Sequence, residues 1–223
     1  MSIKKLSSTK NSEIFKTPLY QHQKVVVNFL RDNEISIITG FPGTAKDFCC
    51  LYRGLEGVIK KEFEQLVLIK PIIEIGRSMG YLKGEEVEKY APYIKSFTDN
   101  ITKMIGSTET KRLGKKIKYE PINFVRGSTW DYSCIILSEA QNCTLHELIS
   151  VITRVAKSSK IFLNGDLTQS DIGKRSGLKD LMKILQDVDG VGMLELGDEH
   201  QVRNPMIIEI TKKYRTFLKN KNE

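Results

Sequence analysis

Hydrophobic positions in this chain come as short unbroken runs separated by longer stretches with helical spacing. The runs fall at residues 35–39, 65–70 ("QLVLIK"), 134–138 ("CIILS"), 160–164 ("KIFLN") and 191–196 ("VGMLEL"), and each predicts a strand. The longer stretches predict helices over 46–61, 85–104, 145–156, 176–187 and 204–219. Strands that are apolar on consecutive positions are covered on both faces. Their alternation with helices therefore predicts βαβ units, with a mostly parallel sheet between helical layers. Residues 106–133 break the rhythm; they are basic and contain glycine, and predict an insertion or a hairpin. A length of 223 residues suits one α/β domain, here placed at 17–219. A basic segment, 1–16, and a tail, 220–223, are expected to be mobile.

Composition narrows the class. The hydrophobic fraction of 40% and the charged fraction of 28% are those of an ordinary globular protein. No apolar run approaches the roughly 18 residues of a membrane span, and "MSIKKLSSTKNSE" has no apolar core of a secretory signal. A cytoplasmic protein without a membrane partner is expected. Cys49, Cys50, Cys134 and Cys143 form no C-x-x-C pair, so buried reduced thiols are expected rather than a metal site. The net charge of +8 is clustered in Lys4–Lys16, in "TKRLGKKIK" at 110–118 and in "KKYRTFLKNK" at 212–221. Such clusters suit a polyanion, or equally a solvated face.

Three polar segments follow predicted strands. The first is "IITGFPGTAKDFCC" at 37–50. Gly40, Gly43 and Lys46 fall where a phosphate-binding loop needs a turn, a close backbone approach and an ammonium that reaches phosphate. Its amides at a helix N-terminus, Thr44 and Ala45 included, would cradle an anion. The pattern departs from the usual one in two places: Ala45 stands where glycine is usual, and Asp47 stands where a Mg²⁺-binding hydroxyl is usual. The second segment is "CIILSEAQN" at 134–142. It carries Ser138 where an aspartate normally holds the metal, and Glu139 where a carboxylate activates or orients water. Ser138 could alternatively cap a helix. Asp47 and Ser138 each carry the residue type expected at the other position, which suggests exchanged metal roles. The third segment is "NGDLTQSD" at 164–171, with Asp166 and Gln169 at the carboxyl end of a strand, where α/β sheets bind ligands.

Taken together, the segments resemble the PhoH-like ATPases of bacteria and their phages, over Gln23 to Pro205. "KPIIEIGRSMGYLKG" (70–84) keeps Pro71, Glu74, Gly76, Gly80, Leu82 and Gly84, while Lys70, Arg77 and Lys83 depart from the family pattern. "EKYAPYIKSFTD" (88–99) keeps Lys89, Pro92, Tyr93 and Asp99, and "VRGST" (125–129) keeps Arg126, Gly127 and Thr129. "SEAQNCT", "TRVAKSSK", "GDLTQSD", "SGL" and "VRNP" follow in family order. "GDLTQ" is also similar to motif III of superfamily-one helicases, whose glutamine touches the γ-phosphate or its water.

The resemblance implies a single RecA-like P-loop NTPase domain that binds ATP with Mg²⁺ and hydrolyses it. Gln23 lies at the spacing of an adenine-reading glutamine, and Lys46 with the amides of 43–47 would hold phosphates. Asp47 and Ser138 would address the metal, Glu139 the water and Gln169 the γ-phosphate. Arg203 would stabilise charge, in cis or across a subunit boundary. Arg126 weighs evenly between function and a surface ion pair, Asp166 is a further cleft candidate, and Arg154 could equally pack over the sheet edge. His22, His146 and His200 are expected to be solvated or structural. One domain lacks the second wall of a two-domain helicase, so a homo-oligomer is implied, a ring such as a hexamer. Single-stranded RNA or DNA is the implied partner, with RNA helicase activity as the implied work. The rival expectation is a nucleotide-binding module that switches an RNA-binding surface without turnover.

Overall fold

The computed structural model describes residues 15, 17–72, 86–125 and 127–222. The basic segment before Phe15, the family-like positions Glu74 to Gly84, and Arg126 lie outside the described residues, as do the side chains of Lys89, Pro92 and Tyr93. The chain runs α1 (Gln21–Asp32), β1 (Ile35–Gly40), α2 (Lys46–Ile59), β2 (Gln65–Lys70), α3 (Glu86–Leu113), β3 (Ile117–Pro121), β4 (Ser133–Leu137), α4 (Leu145–Ile152), β5 (Lys160–Gly165), α5 (Leu178–Ile184), β6 (Val191–Leu196) and α6 (Pro205–Asn222). The six strands form one sheet in the order β3-β2-β4-β5-β1-β6. Every pairing is parallel. This is the α/β architecture, a parallel sheet covered on both faces, that the apolar runs predict.

Those runs are unbroken because both faces of the sheet are covered. Successive residues of a strand point to opposite sides. Ile38, Leu66, Leu68, Cys134, Ile136 and Phe162 enter one core with residues of α1, α2 and α3. Their neighbours Ile37, Val67, Ile69, Ile135, Leu137, Ile161 and Leu163 enter the other, with Leu148 and Val151 of α4 and Leu178 and Leu181 of α5. Each such side chain contributes about 1.5–3 kcal/mol of burial. Helix α2 can lie close to the sheet because Gly54 has no side chain: a Cβ there would stand 2.7 Å from Leu66 Cδ1.

The described residues of 106–133 do not form a hairpin. Helix α3 is broken at Gly106 (φ 82°, ψ 162°) and continues to Leu113. After a short turn, β3 joins the sheet edge parallel to β2, with Leu66 opposite Ile117. A parallel neighbour needs a crossover, and the long α3 supplies it. Helix α1, which the apolar spacing had not predicted, covers the same face as α2 through Val26, Val27 and Leu30. All four cysteines are buried and unpaired, as expected. Burial pushes the Cys49 thiol up to about 12, and the Cys134 thiol as far against the opposing pull of Arg53 and Lys160.

Strand order assembles the site. β5 lies between β1 and β4, with Leu163 paired to both Ile37 and Leu137. The segments after these three strands therefore emerge side by side at their carboxyl ends, where ligands of such sheets bind.

Candidate functional site

The loop after β1 is shaped by left-handed backbone. Gly43 has φ +89°, and a Cβ there would stand 2.7 Å from Arg203 Cδ, so glycine makes room for the arginine's stem. Ala45 has φ 64° and ψ 26° and immediately precedes α2. An L-residue in this conformation costs about 1–2 kcal/mol, which is why glycine is usual there. Thr44 closes the turn, its hydroxyl donating to the Phe41 carbonyl at 2.8 Å. The first amides of an α-helix have no partner within the helix, and the dipole gives this end of α2 a partial positive charge.

Lys46 opens α2. Its ammonium donates to the carbonyls of Gly40 at 2.6 Å and Phe41 at 3.0 Å. Burial lowers its pKa, against the opposing pull of Asp47, Asp166 and Glu139. The next residue, Asp47, accepts a hydrogen bond from Ser138 Oγ at 2.6 Å. The two positions that each carry the residue type usual at the other are thus in contact. Ser138 caps no α-helix: α4 starts further on, behind Thr144, whose hydroxyl accepts from the Glu147 amide.

Glu139 follows with φ 59° and ψ 39°, a strained conformation for a non-glycine residue. Its carboxylate accepts from Gln141 Nε2 at 2.7 Å. After β5, Asp166 Oδ1 accepts from the amide of Thr168 at 2.8 Å and from its hydroxyl at 2.6 Å, forming a tight turn that presents Gln169.

These groups line one cleft of about 600 Å³: Gly43, Ala45, Lys46, Asp47, Glu139, Asp166, Gln169 and Arg203 all reach it. Ser138 is 2% exposed and joins it through Asp47, while Gly40 and Thr44 support the loop from behind. Gln23 does not line the cleft; its side-chain oxygen accepts the Tyr20 amide at 2.9 Å, capping α1. Arg203 lies in the cleft of its own chain, tied there by the Val202 amide donating to the Gly43 carbonyl at 2.9 Å. Arg154 does not line the cleft and donates to the Ser150 carbonyl at 2.9 Å.

The sequence reading singled out neither Asn164, which lines the cleft, nor Gln141, which bonds to Glu139 and to the Asp166 amide. Asn164 is 2% exposed, and its side-chain nitrogen has no hydrogen-bond partner beyond the weakly accepting Cys50 sulfur. It opens "NGDLTQSD", where a polar residue ending an apolar strand was the available signal. Gln141 is 3% exposed and bridges segments distant in sequence, so no local pattern marks it. Asp166 Oδ2 is likewise buried without a partner.

The donor set fits a metal–nucleotide complex. Three carboxylates, Asp47, Glu139 and Asp166, share the cleft with the cations Lys46 and Arg203. Added phosphates would be repelled there unless a divalent cation came with them. The unspent Asp166 oxygen suits a hard cation or its water, and the unspent Asn164 nitrogen suits a phosphate oxygen. Among the described residues, no cluster of three or more His, Cys, Asp or Glu forms a metal site by itself. No helix among them is long and apolar enough to cross a membrane.

Helix α6 is fastened to the loop from outside. The Arg215 guanidinium lies 3.7 Å from the centre of the Phe41 ring and donates to Asp198 at 2.7 Å. Arg215 of the C-terminal basic cluster is therefore committed to Asp198 and Phe41, whereas Lys213 makes only an exposed pair with Glu209 at 3.0 Å.

Comparison with known proteins agrees with this reading of the segments. A PhoH-like protein of Bacillus subtilis is 31% identical over 196 residues, 86% of this chain and 61% of that protein. One from Synechocystis is 29% identical over 213 residues, 94% of this chain and 65% of that protein. Protein PhoH of Escherichia coli is 26% identical over 200 residues, 85% of this chain and 56% of that protein. The chain thus spans 56% to 65% of the length of these relatives. Among solved structures, the Hef helicase domain of Pyrococcus furiosus aligns at a TM-score of 0.49 and 11% identity, over 79% of this chain and 37% of that one. Bacteroides Pif1 bound to ssDNA aligns at 0.37 and 15%, over 82% and 42%. The family model described as "PhoH-like protein" matches residues 17–215, nearly the whole described chain, and the protein belongs to the PhoH family.

Proposed function

We propose that this chain binds ATP with Mg²⁺ in the cleft and hydrolyses the γ-phosphate, and that turnover is coupled to single-stranded nucleic acid. The observation that carries the proposal is the convergence of Lys46, the Asp47–Ser138 pair, Glu139, Gln169 and Arg203 at the ends of three adjacent strands.

Phosphoryl transfer asks a protein mainly for positioning and charge stabilisation. Lys46 releases the Gly40 and Phe41 carbonyls to meet the β- and γ-phosphates, joined by the amides of 43–47. Asp47 and Ser138 would hold Mg²⁺, with the unpartnered Asp166 oxygen as a further candidate; when bound, the ion would offset the negative charge of the phosphates. Glu139 orients the attacking water and accepts its proton. The water oxygen bonds to the γ-phosphorus as the bond to the β-bridging oxygen breaks. Gln169 touches the γ-phosphate or the water, and Arg203, on the same cleft wall as Gly43, balances the charge that develops.

In this reading α6 offers the nucleic-acid surface. Tyr214 is 56% exposed and Phe217 63% exposed, on the helix that also carries Lys212 and Lys213. Exposed rings among cations suit stacked bases and their phosphates. Self-association, as a ring, would supply the second wall that one domain lacks.

Phosphate release with and without Mg²⁺ and single-stranded RNA tests the proposal. Wild type should turn over only with Mg²⁺, faster with RNA, and Lys46→Ala and Glu139→Gln should not. Nucleotide binding without Mg²⁺-dependent turnover would replace this reading with that of a non-hydrolysing switch.

A further inference from the structure

The segment bearing Glu139 and the segment bearing Gln169 are laced together by side chains to which no role has yet been given. Gln141 is central. Its Nε2 donates to Glu139 Oε2 at 2.7 Å, and its Oε1 accepts the Asp166 amide at 3.0 Å. Its backbone carbonyl accepts from Ser170 Oγ at 3.0 Å. One residue on, Asn142 donates to Asp171 Oδ2 at 2.9 Å and accepts the Asp171 amide at 2.8 Å. Even Gly165 is explained, since a Cβ there would stand 2.7 Å from Gln141 Oε1.

We infer that Gln141 is a positioning residue. It aims the Glu139 carboxylate and fixes it relative to the turn that presents Asp166 and Gln169. The inference rests on the hydrolytic reading above. Both ends of this amide are spent, in a group that is 3% exposed, so its orientation is determined: reversing it would oppose like partners at each end. Glu139 needs such a restraint. It occupies a strained backbone conformation and stands among Lys46 and Asp47 from α2, Asp166 from the end of β5 and Arg203 from the segment before α6. A carboxylate beside those cations would otherwise be free to collapse onto Lys46, and the water it must orient would lose its acceptor. A shift of about 1 Å in such a group costs on the order of a hundredfold in rate.

Two substitutions separate aiming from folding. Gln141→Glu keeps an acceptor for the Asp166 amide but sets an acceptor against Glu139. Gln141→Met keeps the volume and removes both bonds. The measurements are kcat for ATP, affinity for a fluorescent ATP analogue, melting temperature, and hydrogen exchange of the Asp166 amide in the nucleotide-free protein. Gln141→Glu should retain slow exchange at Asp166 and analogue affinity within about twofold, yet lose at least tenfold in kcat. Gln141→Met should lose exchange protection as well as kcat. Wild-type kcat in Gln141→Glu would overturn the inference, as would a fall in kcat matched by an equal fall in affinity. Absence of turnover in wild type, seen without any variant, would instead fail the hydrolytic reading and take the role of Gln141 with it.

Discussion

Replacing Ser138 by aspartate would set a second carboxylate against Asp47, where a hydroxyl now donates to Oδ1 at 2.6 Å. Ser138 is 2% exposed, so water can relieve little of the conflict at that position. Two unit charges about 4 Å apart repel by about 4 kcal/mol at an effective dielectric constant near 20. Proton uptake by one of them would soften this, so the figure is an upper bound. For a domain of this size, each kcal/mol moves the melting temperature by about 2–4 °C. Ser138→Asp should therefore melt up to roughly 8–16 °C lower without divalent ions, and Mg²⁺ should restore much of the loss. Asp47→Thr makes the opposite error, because it leaves two hydroxyls and no carboxylate at the pair, and Mg²⁺-dependent turnover should disappear. The double substitution Asp47→Thr with Ser138→Asp restores one hydroxyl and one carboxylate, with their positions reversed. If the two residues have exchanged metal roles, the double variant should recover most of the turnover and lose the anomalous Mg²⁺ dependence of its melting. Turnover no better than that of the worse single variant would refute the exchange and leave two independent departures.

Three other outcomes follow from local geometry. Arg203→Ala should lower kcat at least tenfold, a loss of about 1.4 kcal/mol in transition-state stabilisation. Mixing it with Lys46→Ala subunits should not restore activity, because Arg203 lines its own chain's cleft; recovery on mixing would show action in trans. Ala45→Gly should raise the melting temperature by about 2–4 °C, since it removes roughly 1 kcal/mol of left-handed strain at φ 64°, and an unchanged melting curve would argue against strain there. Burial, then the neighbouring His200, lowers the His22 pKa, so folding favours its neutral form. That stability is complete above the ordinary value near 6.5 and is lost as pH falls below it, so His22→Gln should flatten the decline in melting temperature between pH 7 and 5.

What could be read from the sequence, and what could not, divides along a physical line. β1, β2, β4 and β5 were legible because central parallel strands are buried on both faces and become continuous apolar runs; in β4 all five residues, Ser133 to Leu137, are buried. β3 lies at the sheet edge, and of "IKYEP" only Ile117 is buried, so its apolar signal vanished into a basic stretch that reads as an insertion or a hairpin. α1 carries Val25, Val26 and Val27, β-branched residues that weaken a helical signal, although Val26 and Val27 are buried in the core and Val25 is 58% exposed. The candidate site divides in the same way. Lys46, Glu139 and Gln169 could be singled out because each lies at a fixed offset from a strand end, and a strand end is a local feature. The contact of Asp47 with Ser138 joins positions 91 residues apart, and that of Gln141 with Asp166 joins positions 25 apart. Both contacts exist because β5 was laid between β1 and β4, and that order is chosen by the packing of whole helices on the two faces of the sheet. A motif therefore identifies the groups that meet the substrate, whereas the groups that aim them are fixed by topology. Asn164 shows the boundary between the two: it stands at a strand end like the others, yet only its pairing beside Ile38 of β1 reveals that its unspent nitrogen belongs to the same cleft as the loop.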